Sequence, residues 1–400
     1  MMFKDAMHEE FGAFPLAYIS AGGPELGEIR AVATAVGDGD DTAFYEAWVA
    51  AGNRLRQQAE EAERRHRIAS ARELFLRASG CYGASYHPLY GFPVDPRLRE
   101  AFRLQMAAFD AALNLFDPPV RPLRIPFGPT TLPAYWIPAA GHEMAKRPLL
   151  ILTNGYDATV TDLYFGSSVA ANRRGYHTLL FDGPGQGELL IEQGIPLRPD
   201  WESVVRAVVN FALDLPGVDG ERLALSGWSL GGYLALRAAS GEPRIKACIA
   251  DPGLGSIADG LRGFLAKFGV PEEELADFSR IDDALLDQVS AFIDSSRQLR
   301  WKIVQRGFWA NGATDLRDYL RLIQDFTLEG REHLLQCPTL LTYAEDDPLA
   351  ARAPAFFETL ECPKTLLTFR TGEGAGGHCE MTNRTLLNQR VLDWLDDLWP

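Results

Sequence analysis

Ser229 lies in Gly227-Trp228-Ser229-Leu230-Gly231-Gly232, which fits G-x-S-x-G, a pattern that can turn a hydroxyl into a nucleophile. The glycines permit a sharp turn from strand to helix, where flanking side chains would clash. The apolar run Arg222–Ser226 leads into the turn and the helix-like segment Tyr233–Ser240 leads out of it. Such a turn exposes the hydroxyl at a helix N-terminus, which favours developing negative charge. The plain alternative is a glycine-rich turn with an idle serine.

A serine hydroxyl attacks only when a base takes its proton. The base is expected late in the chain, with an acid between the two, in the order Ser…Asp/Glu…His. His378 meets this, in the loop Gly374-Ala375-Gly376-Gly377-His378-Cys379-Glu380 after the last expected strand. His8, His66, His87 and His142 precede the serine, His177 opens an expected strand, and His333 falls in a helical stretch. The acid is expected in Ala344-Glu345-Asp346-Asp347-Pro348, as Asp347, with Asp346 the alternative. Helix capping before Pro348 is the structural role open to either.

Acyl transfer also needs two backbone N–H groups aimed at the oxyanion. Leu230 supplies one and Tyr156 the other, in Asn154-Gly155-Tyr156-Asp157, where Gly155 lets the backbone come close. Trp228 and Asp157, which flank these groups, are candidate substrate-site residues. Asp182-Gly183-Pro184-Gly185-Gln186-Gly187 has neither the ending of a P-loop nor dinucleotide-site spacing, and reads as a structural turn near the active-site mouth.

Elements must hold these residues in place. Leu98, Phe102, Met106, Phe109, Leu113 and Phe116 recur at helical spacing, with Asp95 as N-cap and Pro96 in the first turn. With the Phe44–Leu55 stripe and the segment Ile68–Tyr86, residues 40–116 read as about three helices, and the first forty residues carry no clear pattern. After Asp117-Pro118-Pro119 the pattern changes. Leu123–Phe127 and Leu132–Ile137 flank a turn and read as a hairpin. Short apolar runs follow at Pro148–Thr153, His177–Asp182, Arg222–Ser226, Ala247–Ala250, Pro338–Tyr343 and Lys364–Phe369. Helical segments such as Ser203–Leu213 alternate with them, so the expected fold class is α/β with a mostly parallel sheet. The stretch 252–335 is too long for a plain connection and reads as a helical lid insert. Its aromatics, Phe264, Phe268, Trp301, Phe308, Trp309 and Tyr319, are expected mainly in packing, with a few lining a pocket for an apolar or aromatic substrate.

Composition narrows the function. Of 400 residues, 46% are hydrophobic and 23% charged, which excludes disordered, collagen-like and coiled-coil chains. A net charge of −15 argues against nucleic acid and polyanionic substrates. No apolar run reaches the roughly 18 residues a membrane helix needs. The start, Met1-Met2-Phe3-Lys4-Asp5, lacks the look of a signal peptide, and five scattered cysteines form neither a disulfide framework nor a zinc site. A cytoplasmic, metal-free protein without membrane association is the expectation.

On these motifs the chain resembles the α/β-hydrolase superfamily over about residues 120–400. Within it, the chain is similar to the group of 2,6-dihydroxypseudooxynicotine hydrolase, fermentation-respiration-switch esterases and fungal polyketide-shortening hydrolases. Ser70-Ala71-Arg72-Glu73-Leu74-Phe75-Leu76-Arg77-Ala78-Ser79 and Asp95-Pro96-Arg97 are similar to that group's helical N-terminal region. One departure is Ala344, where the family's G-x-x-D pattern has glycine. The resemblance implies an α/β-hydrolase fold, residues 1–118 as a helical cap region and 119–400 as the catalytic domain. It also implies a serine hydrolase without cofactor, cleaving an ester or a carbon–carbon bond of a β-dicarbonyl, polyketide or aromatic ketone. Carbon–carbon cleavage needs a carbanion to be protonated, and Asp251, just past Ala247–Ala250, is the candidate to assist. Acyl transfer would use the same residues, and a non-catalytic relative would usually lack one of them. A homodimer built through the helical region is a further expectation.

Overall fold

The computed structural model describes residues 1–400. The chain is helical from its start. The segments Ala6–Gly12, Phe14–Ala21 and Leu26–Val36 precede three longer helices, Asp41–Arg64, Ile68–Ser85 and Pro96–Asn114. Two of the three are capped by side chains. Asp40 accepts from the N–H groups of Thr42 and Ala43, and Asp95 accepts from Arg97 ahead of Pro96. The expected face of the third helix is buried at Leu98, Phe102, Phe109 and Leu113. The unpatterned first forty residues are ordered by packing, since Phe3, Met7, Phe11 and Tyr18 are all buried.

Eight strands follow: β1 (Pro122–Phe127), β2 (Thr130–Ile137), β3 (Arg147–Thr153), β4 (His177–Phe181), β5 (Val218–Trp228), β6 (Ala247–Asp251), β7 (Thr339–Ala344) and β8 (Lys364–Phe369). They form one sheet in the order β1-β2-β4-β3-β5-β6-β7-β8. β1 and β2 form the expected hairpin, β2 pairs antiparallel with β4, and every other pair is parallel.

Both faces of the sheet are covered, which is why the central strands read as continuous apolar runs. Alternation along each strand divides the core in two. Leu150, Leu152, Leu180, Ala224, Ile249 and Leu340 pack with the N-terminal helices and with Leu387, Val391 and Leu395 of the last helix, Arg384–Leu398. Leu149, Ile151, Leu179, Leu225, Cys248 and Leu341 pack on the other side with the helices Trp201–Ala212 and Leu230–Ala239 and with the β6–β7 segment. That segment is helical in pieces, including Ala258–Ala266, Asp283–Asp294, a wide-turned π-helical stretch Trp301–Phe308, and Leu316–Ile323.

The topology gathers chemistry at one edge. β3, β5, β6, β7 and β8 run parallel, so the loops at their C-terminal ends face the same crevice. Those loops carry Gly155-Tyr156-Asp157, Ser229, Asp347 and His378. No helix is long and apolar enough to cross a membrane. All five cysteines are free.

Candidate active site

β5 runs directly into the helix Leu230–Ala239, with Ser229 at the junction in a left-handed conformation (φ 55°, ψ −124°). That backbone state costs a non-glycine residue about 1–3 kcal/mol and persists only where surroundings enforce it. The enforcement is steric. A Cβ at Gly227 would meet the Gly231 carbonyl oxygen at 1.9 Å, so only glycine permits the turn to close. The Ser229 N–H is fixed by the Asp251 carbonyl at 2.6 Å. The helix begins earlier than its sequence pattern suggests, because Gly231 and Gly232 lie inside it rather than in a turn.

Ser229 Oγ lies 2.9 Å from His378 Nε2, and His378 Nδ1 lies 2.7 Å from Asp347 Oδ2. The other Asp347 oxygen accepts from the Leu349 N–H at 2.9 Å, and its side chain is buried. Asp346 turns away and takes the Thr371 hydroxyl. Alanine at 344 does not shift the register, since the Asp347 N–H closes a turn on the Ala344 carbonyl. Burial works against a charged His378, but the hydrogen bond and charge of Asp347 outweigh it, and the imidazole sits above its ordinary 6.5. His378 is followed by two further left-handed residues, Cys379 (φ 51°) and Glu380 (φ 48°). Cys379 Sγ is 3.5 Å from His378 Nε2, yet burial pushes its thiol well up, so it stays protonated and unreactive.

The loop after β3 lies against the Ser229 turn. A Cβ at Gly155 would stand 2.8 Å from Ser229 Cβ and 3.0 Å from the Leu230 nitrogen, so glycine alone allows this approach. The loop is braced from behind. Asn154 Nδ2 donates to Asp182 at 2.6 Å, and Gln186 Nε2 donates to the Asn154 carbonyl at 2.7 Å. The Asp182–Gly187 turn is therefore buried support for this loop, not a rim of the mouth. Burial holds the Asp182 carboxyl up at about 8.

Ser229 and His378 open into a cavity of about 60 Å³. Its walls are Phe14, Tyr18, His87, Gly155, Asp157, Ala158, Asp162, Trp228, Cys379 and Met381. Trp228 and Asp157 both line this cavity. None of the six insert aromatics lines the cavity; instead Trp301 Nε1 donates to the His87 carbonyl at 2.8 Å, and Arg306 pairs with Asp157 at 2.8 Å. Phe14, Tyr18 and His87 come from the N-terminal helices, and no motif marked them. His87 precedes the serine in the chain, and the order Ser…Asp/Glu…His gives it no role.

Asp251 requires a correction. It does not line the cavity: one oxygen accepts from Thr342 Oγ1 at 3.0 Å, and the other pairs with Arg384 at 2.7 Å. Both partners are about 3% exposed. Arg384 also donates to the Cys379 carbonyl at 2.6 Å and lays its guanidinium 3.9 Å from the centre of the Trp228 ring. Glu380 is buried beside them with neither oxygen hydrogen-bonded. Burial and the Asp251 charge push its carboxyl far above the usual range, so it is held neutral.

A family model described as the alpha/beta hydrolase family matches residues 149–387. Hydrolase acrC of Aspergillus aculeatus is 34% identical over 435 residues, spanning 99% of this chain and 98% of its own. The 20-hydroxy-prefusarin hydrolase FUS2 of Gibberella moniliformis is 34% identical over 390 residues, spanning 94% and 92%. The crystal structure of 2,6-dihydroxy-pseudo-oxynicotine hydrolase has a TM-score of 0.73 at 21% identity, covering 96% of this chain and 95% of that one, a likeness of fold.

Proposed function

This chain belongs to the α/β hydrolase family and is a hydrolase, and we propose that it works as a serine esterase on a small organic carbonyl compound. The observation that carries the reading is the unbroken contact from Ser229 Oγ through His378 to Asp347, opening on a cavity. In this mechanism His378 Nε2 takes the Ser229 proton as Oγ attacks the carbonyl carbon. The N–H groups of Tyr156 and Leu230 receive the oxyanion. His378 then returns the proton to the leaving alkoxide, and the acyl group stays on Ser229. Water, deprotonated by His378, releases it. Asp347 remains ionised throughout, holding the ring in its tautomer and balancing its charge. The raised His378 basicity suits a proton acceptor in the neutral range.

Asp251 gives carbon–carbon cleavage no separate support, since its carboxylate is spent on Arg384 and Thr342 and does not line the cavity. The test compares wild type with Ser229→Ala on p-nitrophenyl acetate and butyrate, and follows labelling by a fluorophosphonate with mass spectrometry. Turnover is expected to fall at least about 10⁴-fold in the variant, and the label is expected on Ser229 of the wild type. A wild type that takes no label, or a variant of equal activity, would overturn the reading.

A further inference from the structure

We propose that His87 and Asp157 form a hydroxyl-recognition subsite beside Ser229, so that the preferred substrate is a hydroxylated carbonyl compound; this rests on Ser229 being the attacking group. Both residues line the cavity with Ser229 and His378. They reach it from different parts of the chain, His87 from the turn after the helix Ile68–Ser85 and Asp157 from the loop after β3.

The argument is one of donors and acceptors. His87 Nε2 lies 3.1 Å from the Asp157 carbonyl oxygen. A carbonyl oxygen only accepts, so Nε2 carries the ring proton, and in the neutral ring Nδ1 is left as an acceptor. His87 Nδ1 has no partner. On Asp157, Oδ2 receives Arg306 Nη1 at 2.8 Å, while Oδ1 has no partner. Two buried acceptors, on two residues that line the same cavity, are therefore unsatisfied, as is the Arg306 Nε donor of the pair with Asp157. Leaving such a group unmade costs about 1–3 kcal/mol, so native proteins rarely keep one without a use. The ligand that relieves both must bring hydrogen-bond donors.

Charge selects among donors. Arg306 already neutralises Asp157, and its guanidinium is held over the rings of Tyr156 at 4.8 Å and Trp301 at 5.3 Å. The cavity's other carboxylate, Asp162, is engaged by the Tyr18 hydroxyl at 2.9 Å and the Thr159 N–H at 2.7 Å. What remains is two acceptors and one donor, Arg306 Nε, with the charge locally compensated, which suits neutral hydroxyls, able to donate and accept, better than an ammonium group. The His87 ring cannot turn away to solvent, because it stacks on Phe11 at 5.1 Å and on Tyr86 at 5.4 Å.

The test uses matched methyl esters: butanoate, 3-hydroxybutanoate and 3-aminobutanoate, and benzoate with its dihydroxylated forms. Hydrolysis is followed by pH-stat in wild type, His87→Phe and Asp157→Asn. Phenylalanine keeps the stacked ring and removes the acceptor; asparagine keeps the shape and can place a donor where Oδ1 stood. Wild type is expected to favour a hydroxylated member over its parent by about 10-fold or more in kcat/KM, with the ratio falling toward one in both variants. Binding of the same esters to Ser229→Ala, read by NMR, is expected to show the same preference without turnover. A wild type that hydrolyses the esters with no hydroxyl preference, an amine preferred to the hydroxyl, or a ratio unmoved in both variants overturns the subsite. Hydroxyl-selective binding by Ser229→Ala, with no hydrolysis by wild type, would sustain the subsite and overturn the esterase reading instead.

Discussion

Replacing Arg384 with methionine tests whether the buried pair behind the candidate site holds its geometry. Arg384 and Asp251 are both about 3% exposed and 2.7 Å apart. Methionine fills much of the same volume but strands the Asp251 carboxylate, leaving it only the Thr342 hydroxyl. Breaking a buried pair from one side costs about 3–5 kcal/mol. Loss of the guanidinium over Trp228 adds about 1–2 kcal/mol. Asp251→Asn strands the other charge in turn, whereas the double variant leaves no isolated ion. Urea unfolding of the four proteins should therefore give a coupling energy of about 2–3 kcal/mol, with the double variant well short of the sum. Activity adds a second readout. Arg384 ties Trp228, the neighbour of Ser229, to the Cys379 carbonyl, the neighbour of His378. Arg384→Met should lower kcat by about 10-fold or more and change KM little, as expected when positioning and not binding is lost. Additivity within about 0.5 kcal/mol, with kcat unchanged, would refute the argument.

Two further outcomes follow from the carboxylates near His378. His378 must be neutral to act as base, so kcat/KM should rise with pH through a midpoint above 6.5; Asp347→Asn should move that midpoint down and cost about 10⁴-fold in kcat, whereas Asp346→Asn should do neither, and the reverse pattern would exchange the two roles. Glu380, with its folded carboxyl raised above its ordinary 4.5, contributes stability that is complete below pH 4.5 and is lost as pH rises toward its folded value. Glu380→Gln lacks that loss, so its stability relative to wild type should grow as pH rises above 4.5; parallel pH–stability curves would show that the carboxyl is ionised in the fold.

The eight strands were legible because buried parallel strands are short apolar runs separated by helical periodicity. The contact of Ser229, His378 and Asp347 was legible because a G-x-S-x-G turn needs particular glycines and a fixed chain order. Burial of charge left no such trace. Arg384 and Glu380 look like ordinary surface residues at the start of a terminal helix, yet both are almost wholly enclosed. The strand pattern sets Asp251 at the end of β6 but does not say which way its side chain points. Its register partner across β5 and β6 is Trp228, and paired residues in a parallel sheet point to the same face. Trp228 on that face reaches the cavity, whereas the pairing with Arg384 and Thr342 holds the Asp251 carboxylate beneath the Ser229 turn and out of the cavity lining. The N-terminal contributors were hidden for another reason. Phe14, Tyr18 and His87 belong to segments whose order comes from packing on the sheet, and neither spacing nor capping predicts which of their side chains face Ser229.

This division has a consequence for how activity and specificity are built. The residues proposed for bond cleavage hang from the sheet edge, and three of the left-handed residues, Ser229, Cys379 and Glu380, are concentrated there. Strain of that kind persists only under external restraint. Arg384 and Asp251 supply the restraint from beneath: Asp251 fixes the Ser229 N–H through its carbonyl, and Arg384 holds the Cys379 carbonyl. Much of the opposite wall is supplied by Phe14, Tyr18 and His87, and the β6–β7 segment reaches that wall indirectly, through Trp301 on His87 and Arg306 on Asp157. Substitutions in those helical regions can alter which carbonyl compound fits without disturbing the strained turn that would attack it. Substitutions around Arg384 should instead weaken turnover and folding together, because one buried pair serves both.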